Sequence, residues 1–218
     1  DRPFAASLAF LGIEQKPKLV KESESATTFR NLLVRHGGSA DSPAQLISTV
    51  VSEYLSDVER ARWERGHAPL IVGRDREADE ILDTLVRIKG KAPVLIAPPG
   101  AKSTIVRRAV QRALAGEYPQ AKPYRRALER AHWVAITPSR LMALSSAKNP
   151  AGRKAAVERF FDATLAVEKK EKIRIIVFID DFHTLDGEQV EALTPYLDAD
   201  NQDVSIVGAC SADKFSLA

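Results

Sequence analysis

A parallel α/β sheet flanked by helices is the architecture this sequence predicts, with a helical arm at the N-terminal end. Three observations carry it. Short, uninterrupted Val/Ile/Leu/Phe runs recur from residue 93 onward, as expected of strands covered on both faces. Segments with apolar residues at helical spacing separate those runs, the signature of a parallel sheet with crossover helices. Two of the strands also run directly into chemistry-bearing residues, Pro-Pro-Gly-Ala-Lys-Ser after one and Asp-Asp after another.

The elements follow in order. Lys16-Pro17-Lys18 and Lys21 to Ser25 read as a solvated loop or linker. Phe29 to Val34 reads as a short helix stopped by His36-Gly37-Gly38-Ser39. Asp41-Ser42-Pro43 opens an amphipathic helix with a capping side chain and proline in the first turn. Leu46, Ile47, Val50, Val51, Tyr54, Leu55 and Val58 continue it to about Arg65. A break spans 66–74. Helix 75–88, strand 93–96, helix 104–115 and strand 133–136 come next. Helices 138–144 and 152–167, strand 173–179, helix 187–197 and strand 204–209 complete the alternation. The organisation expected is an arm over 1–65 and an α/β domain over 66–218.

Composition excludes several classes. A length of 218 residues suits one large domain plus an arm. A net charge of +3 supplies no strong electrostatic reason to bind nucleic acid. The single Cys210 excludes an intramolecular disulfide framework and suits a reducing cytosol, so a cytoplasmic protein is expected. No apolar run is long enough to span a bilayer. The chain begins at Asp1 rather than Met, which reads as a piece cut from a longer parent.

Val94 to Thr104 contains the first chemical signal. A phosphate-binding loop presents successive backbone N–H groups and a helix N-terminus to phosphate oxygens, with a lysine as neutralising charge. The full pattern is G-x-x-x-x-G-K-[ST]. Here Ala97 stands at the first glycine, the loop is one residue short, and no glycine precedes Lys102. Lys102 and Ser103 are the two working side chains, Ser103 as the magnesium ligand. An ordinary strand–turn–helix is the alternative for this segment alone. The second signal is Ile175 to Asp181. An apolar strand here delivers two carboxylates to the C-terminal edge of the sheet, where ligands bind in open α/β folds. Asp180 is placed to hold magnesium and Asp181 to orient an attacking water.

Together these residues resemble the AAA+ module of Clp-type unfoldases, in particular their first ATPase ring. Leu70-Ile71-Val72-Gly73-Arg74-Asp75-Arg76-Glu77 is similar to the family's "V-I-G-R-[DE]-x-E" opening, whose backbone embraces adenine. Ala92 to Ile96, Lys102 to Val106 and Gln111 to Gly116 resemble "N-P-V-L-I-G-x-P-G-x-G-K-T-A-I-V…A-Q-R-I-x-x-G", which fixes Lys102 as the lysine. Phe178 to Leu185 resembles "F-I-D-E-I-H-T-L", and Ser205 to Ser211 resembles the sensor strand. The resemblance implies ATP or ADP with Mg²⁺ as cofactor. It implies a binding set of Val72, Gly73, Pro99, Gly100, Ala101, Lys102, Ser103 and Thr104, with metal on Ser103 and Asp180. It also implies a catalytic set of Asp181, Cys210 and Ser211. Other proteins are the implied partners, copies of itself or AAA+ neighbours among them, without nucleic acid and without membrane insertion.

Departures accompany every motif. A loop glycine is replaced and another deleted. Asp181 stands where the family has Glu, and Cys210 at the sensor Thr or Asn. Ala147 to Gly152 lacks the pore-loop aromatic, and the second pore loop has shrunk to Asp186-Gly187-Glu188. The arginine finger and small helical lid would fall beyond Ala218. Two readings follow. One is a degenerate module with weak or absent ATP turnover that serves as a protein-interaction or regulatory scaffold. The other is a slow but active Clp-type ATPase. An unrelated nucleotide kinase lacks a substrate-binding signature here. His183 is expected to be a supporting residue, Trp63 and Trp133 packing residues, and Arg107, Arg108, Arg125, Arg126 and Arg130 solvated.

Overall fold

Every residue of the two central strands is buried, and this dictates how the rest of the chain is arranged. The computed structural model describes residues 28–66, 71, 73–87, 92–117, 127–145, 149–197 and 204–214. In chain order the helices are α1 (Phe29–His36), α2 (Pro43–Val50), α3 (Leu55–Glu64), α4 (Asp75–Leu85), α5 (Lys102–Ala115), α6 (Pro138–Leu141), α7 (Pro150–Glu171) and α8 (Gly187–Leu197). The strands are β1 (Glu53–Tyr54), β2 (Val94–Ala97), β3 (His132–Ile136), β4 (Ile175–Ile179) and β5 (Ser205–Ser211). They form one five-stranded sheet in the order β1-β3-β4-β5-β2. The β3, β4, β5 and β2 strands are parallel, and β1 is antiparallel to β3. The expected parallel α/β sheet is therefore present, with one antiparallel edge strand added.

Alternation along the strands divides the core in two. Val134, Ile136, Ile175, Val177, Ile179 and Ile206 join the layer built by α1, α2, α7 and α8. Trp133, Ala135, Ile176, Phe178, Val207 and Ala209 join the layer built by α4 and α5. Both faces of the central strands are thus covered, which is why their sequences read as continuous apolar runs. At the β2 edge, Val94 and Ile96 remain exposed.

The amphipathic stretch 43–65 is not the single helix its spacing predicts. It is α2, then β1, then α3. Val51 takes an extended conformation (φ −58°, ψ 123°), and both the N–H and the hydroxyl of Ser52 donate to the Ala135 carbonyl at 2.8 Å. Pairing with the edge of β3 outweighs continuation of the helix. The predicted cap at Ser42 holds: its hydroxyl accepts from Gln45 N, with Pro43 in the first turn, and Asn149 Oδ1 caps α7 by accepting from Gly152 N, a cap not anticipated from the sequence.

The described part of the arm is built into the sheet. Phe29, Leu33, Ala44, Ile47 and Val50 share one core with the strands and α7. The Asp57 carboxylate on α3 accepts from Phe29 N at 3.1 Å and Arg30 N at 3.0 Å, anchoring the N-terminus of α1. The Phe29 ring stacks on His132 with centroids 4.9 Å apart. Burial, and secondarily the nearby Arg60 charge, push the His132 imidazole down to about 4.

A pH dependence follows. Between about pH 6.5 and pH 4 the unfolded chain binds this proton and the folded chain does not. The His132 contribution is therefore fully present above 6.5 and is lost as pH falls, by about 3 kcal/mol in all. Urea denaturation across this range is expected to show that slope, and His132→Gln is expected to flatten it. An unchanged slope in the variant would assign it to other groups.

Candidate functional site

The C-terminal ends of β2 and β4 meet at the N-terminus of α5, and their residues set the local geometry. β2 leads into Pro98-Pro99-Gly100-Ala101. Ala101 N donates to Pro98 O at 3.1 Å, and Gly100 has φ +84°. This is a type II turn, with proline at its second position and glycine at the third, where a positive φ is required. The donor count of the loop follows. Pro98 and Pro99 carry no N–H, and the N–H of Ala101 is consumed by the turn. What faces the sheet edge is the first turn of α5, whose initial N–H groups have no intrahelical acceptor. The N-cap is Ala101, which offers no side-chain cap.

Lys102 is the first residue of α5, and its side chain is only 9% exposed. Its Nζ lies 2.6 Å from Asp181 Oδ1 and 3.2 Å from Asp180 Oδ1. Burial alone would lower its pKa. Hydrogen bonds to Asp181 and Asp180, with their negative charge, outweigh burial and hold the ammonium above the usual lysine range.

The acids come from the end of β4. Asp180 N donates to Ile136 O, and Asp180 Oδ1 accepts from Asp181 N at 2.9 Å. Asp181 occupies the left-handed region (φ 55°, ψ 41°), unusual for a residue with a side chain. The N–H and hydroxyl of Thr184 both donate to its carbonyl.

The remaining candidates stand around this pair. Ser103 is exposed at the start of α5. The Thr104 hydroxyl donates back to Gly100 O at 3.4 Å. Pro99 and Gly100 are exposed in the turn. Cys210 is buried opposite Ile96, and Ser211 stands opposite Ala97. Both therefore lie on the strand beside the loop, yet among the described residues no hydrogen bond joins either side chain to Lys102, Asp180 or Asp181. Gly73 (φ 79°) precedes α4, while Val72 lies outside the described residues. α4 is fixed to α5 by Arg108–Asp75 and Arg112–Asp79 ion pairs. His183 lies on the short 3₁₀ turn Phe182–Thr184 with a buried Nδ1 that has no hydrogen-bond partner among the described residues. Among the described residues no three His, Cys, Asp or Glu side chains cluster to hold a metal.

Compared with a full phosphate-binding loop, this arrangement offers a phosphate fewer loop donors and a lysine that is already paired. Two prolines and the turn-closing Ala101 N–H reduce the donors of the loop, the first-turn N–H groups of α5 remain, and Lys102 is paired with two carboxylates that leave the cluster net negative. The sequence singled out Lys102 and Asp181 separately, as phosphate ligand and water-orienting group. Their ion pair across the site went unseen. The basic set also needs correction: Arg107 is not solvated but bonds to Glu53 and Glu59, Arg108 pairs with Asp75, and Arg125 and Arg126 lie outside the described residues.

No family model matches the chain. The chaperone protein ClpB of Mycobacterium bovis is 28% identical over 211 residues, which is 90% of this chain and 23% of that protein. ClpB of Pseudomonas putida is 30% identical over 156 residues, 69% of this chain and 16% of that protein. The chain thus spans under a quarter of the length of the curated relatives it matches. Among solved structures, the Saccharomyces cerevisiae Hsp104:casein complex in its extended conformation superposes with a TM-score of 0.57 at 22% identity. It covers 78% of this chain and 27% of that one. The S. cerevisiae Hsp104–ADP complex matches with a TM-score of 0.56 at 22% identity, covering 76% and 21%. The sheet with its flanking helices and the similarity to ClpB along most of the sequence agree: this chain is an AAA+ module of the Clp type.

Proposed function

We propose that this module retains the AAA+ fold and has lost most nucleotide binding and turnover, serving as a protein-interaction or regulatory scaffold. One observation carries the reading: the type II turn Pro98–Ala101 stands where a phosphate cradle would be, with Lys102 tied to Asp180 and Asp181 beside it. Its partners are other proteins, copies of itself or AAA+ neighbours included, in the cytoplasm, and neither nucleic acid nor membrane insertion is part of the role. Among the described residues no helix is long and apolar enough to cross a membrane. We place the organisational boundary near residue 66, with the arm supplying the edge strand β1 and packing into the same core as the module.

The second reading is a slow ATPase of a protein-remodelling machine. It is favoured by the survival of Lys102 and Ser103 at the start of α5 and of Asp180 at the end of β4. In that case Gly73, Pro99, Gly100, Ala101, Lys102, Ser103 and Thr104, with Val72, form the nucleotide contact. Ser103 and Asp180 hold Mg²⁺, and Asp181, Cys210 and Ser211 are the catalytic set. Calorimetric titration with ATP and Mg²⁺ separates the two. The scaffold reading expects no saturation below ~1 mM nucleotide, where binding is worth only about −4 kcal/mol. Micromolar binding that Lys102→Ala abolishes would replace it with the ATPase reading.

A further inference from the structure

We infer that Lys102 is the internal cation of this site, lying between Asp180 and Asp181 where a divalent ion would sit, and that Asp181 is the latch keeping it from phosphate. The inference rests on reading this sheet edge as an inherited nucleotide site, and it names how that site is closed.

The geometry constrains the lysine from both ends. Its backbone is fixed as the first residue of a 14-residue helix, and its side chain is only 9% exposed. Its ammonium contacts both acids, 2.6 Å from Asp181 and 3.2 Å from Asp180. Charge-assisted contacts of this length are among the strong hydrogen bonds of proteins. One ammonium between two carboxylates leaves the cluster with a net negative charge. A polyphosphate approaching it meets that charge and finds the ammonium already engaged by both acids.

Asp181 is held in place by its own surroundings. It keeps a left-handed backbone (φ 55°) because Thr184 binds its carbonyl through both N–H and hydroxyl, and because Asp180 Oδ1 accepts its N–H. Conformations of this kind persist only where neighbouring groups over-determine them. Half of the Asp181 side chain is exposed. The latch therefore sits at the mouth of the site, where a change of partner can open it without unpacking the core. The turn at Pro98–Ala101 withholds the Ala101 N–H from an incoming anion, which leaves less donor capacity to offset repulsion by the carboxylates.

The test is binding of inorganic tripolyphosphate in EDTA, without metal, followed by calorimetry. Asp181→Asn keeps the side-chain shape and removes the charge. It is expected to bind at least ~10-fold more tightly than the wild type. Asp181→Asn/Lys102→Ala is expected to lose that gain. Asp213→Asn removes a charge from the segment following β5 and is expected to stay within about two-fold of wild type, since Lys102 pairs with Asp180 and Asp181 among the described residues. Asp181→Ser repeats the measurement with a second side chain that lacks the charge. Equal affinities for the wild type and both Asp181 variants would overturn the latch, and so would an Asp213→Asn gain matching Asp181→Asn. Micromolar Mg–ATP binding by the wild type overturns the scaffold reading instead. The ratio between wild type and Asp181→Asn then still decides the latch.

Discussion

Replacing Glu59 with alanine is expected to destabilise the protein by about 3–5 kcal/mol, the range for removing one member of a buried ion pair. The Glu59 side chain is 0% exposed on α3. It accepts from Arg62 Nη1 at 3.1 Å, Arg107 Nη1 at 3.0 Å and Gln111 Nε2 at 2.8 Å. Arg107 also grips both oxygens of Glu53 on β1 at 2.6 Å. This network fixes α3 and the edge strand against α5. Removing its central acceptor leaves the Gln111 amide and one arm of Arg107 unpaired in a dry environment, and that desolvation is the larger part of the loss. Glu59→Gln keeps the volume and one acceptor, so a smaller loss is expected. Urea unfolding should show a lower midpoint at constant slope. A loss below ~1 kcal/mol would mean that water reaches these groups on opening. Because α5 carries Lys102 at its first turn, the same variant also tests whether the candidate site depends on this distant support.

How much of this was legible in the sequence varies by element. β3 and β4 were legible because both faces are buried, and burial on both faces writes itself as an unbroken apolar run. The split of α2 and α3 was not. Val51, Tyr54, Leu55 and Val58 keep helical spacing through the break, and what ends the helix is the Ala135 carbonyl, 83 residues away from Ser52. Local periodicity carries no record of such a partner. The Lys102, Asp180 and Asp181 side chains were each found from their positions after apolar strands. Their mutual pairing was not, because a motif states which residues converge and not whether they bind one another or a ligand. Glu59, Arg107 and Gln111 were missed for a related reason. Charged residues on helices read as solvated faces, and only the packing of α3 on α5 shows that these are enclosed.

Trp133 provides the second large effect, and the two substitutions that probe it are expected to diverge. Its ring is fully buried in β3, within the core shared with α4 and α5. Trp133→Ala empties that volume and is expected to cost about 3–5 kcal/mol, combining lost burial with the cavity left behind. The indole Nε1, however, is buried without a hydrogen-bond partner among the described residues. An unpaired buried donor carries a penalty of about 1–3 kcal/mol in the native protein. Trp133→Phe loses part of the ring but also removes that penalty, so the two terms oppose each other and a net change below ~1 kcal/mol is expected. Denaturant midpoints of the two variants, measured side by side, decide the matter. If Trp133→Phe loses as much as Trp133→Ala, shape complementarity dominates at this position and the unpaired indole is not a reservoir of instability. If it loses little, the removed donor penalty offsets the lost ring contacts, and the core of this module holds the strand that pairs with β4 in place around an indole donor that finds no acceptor among the described residues.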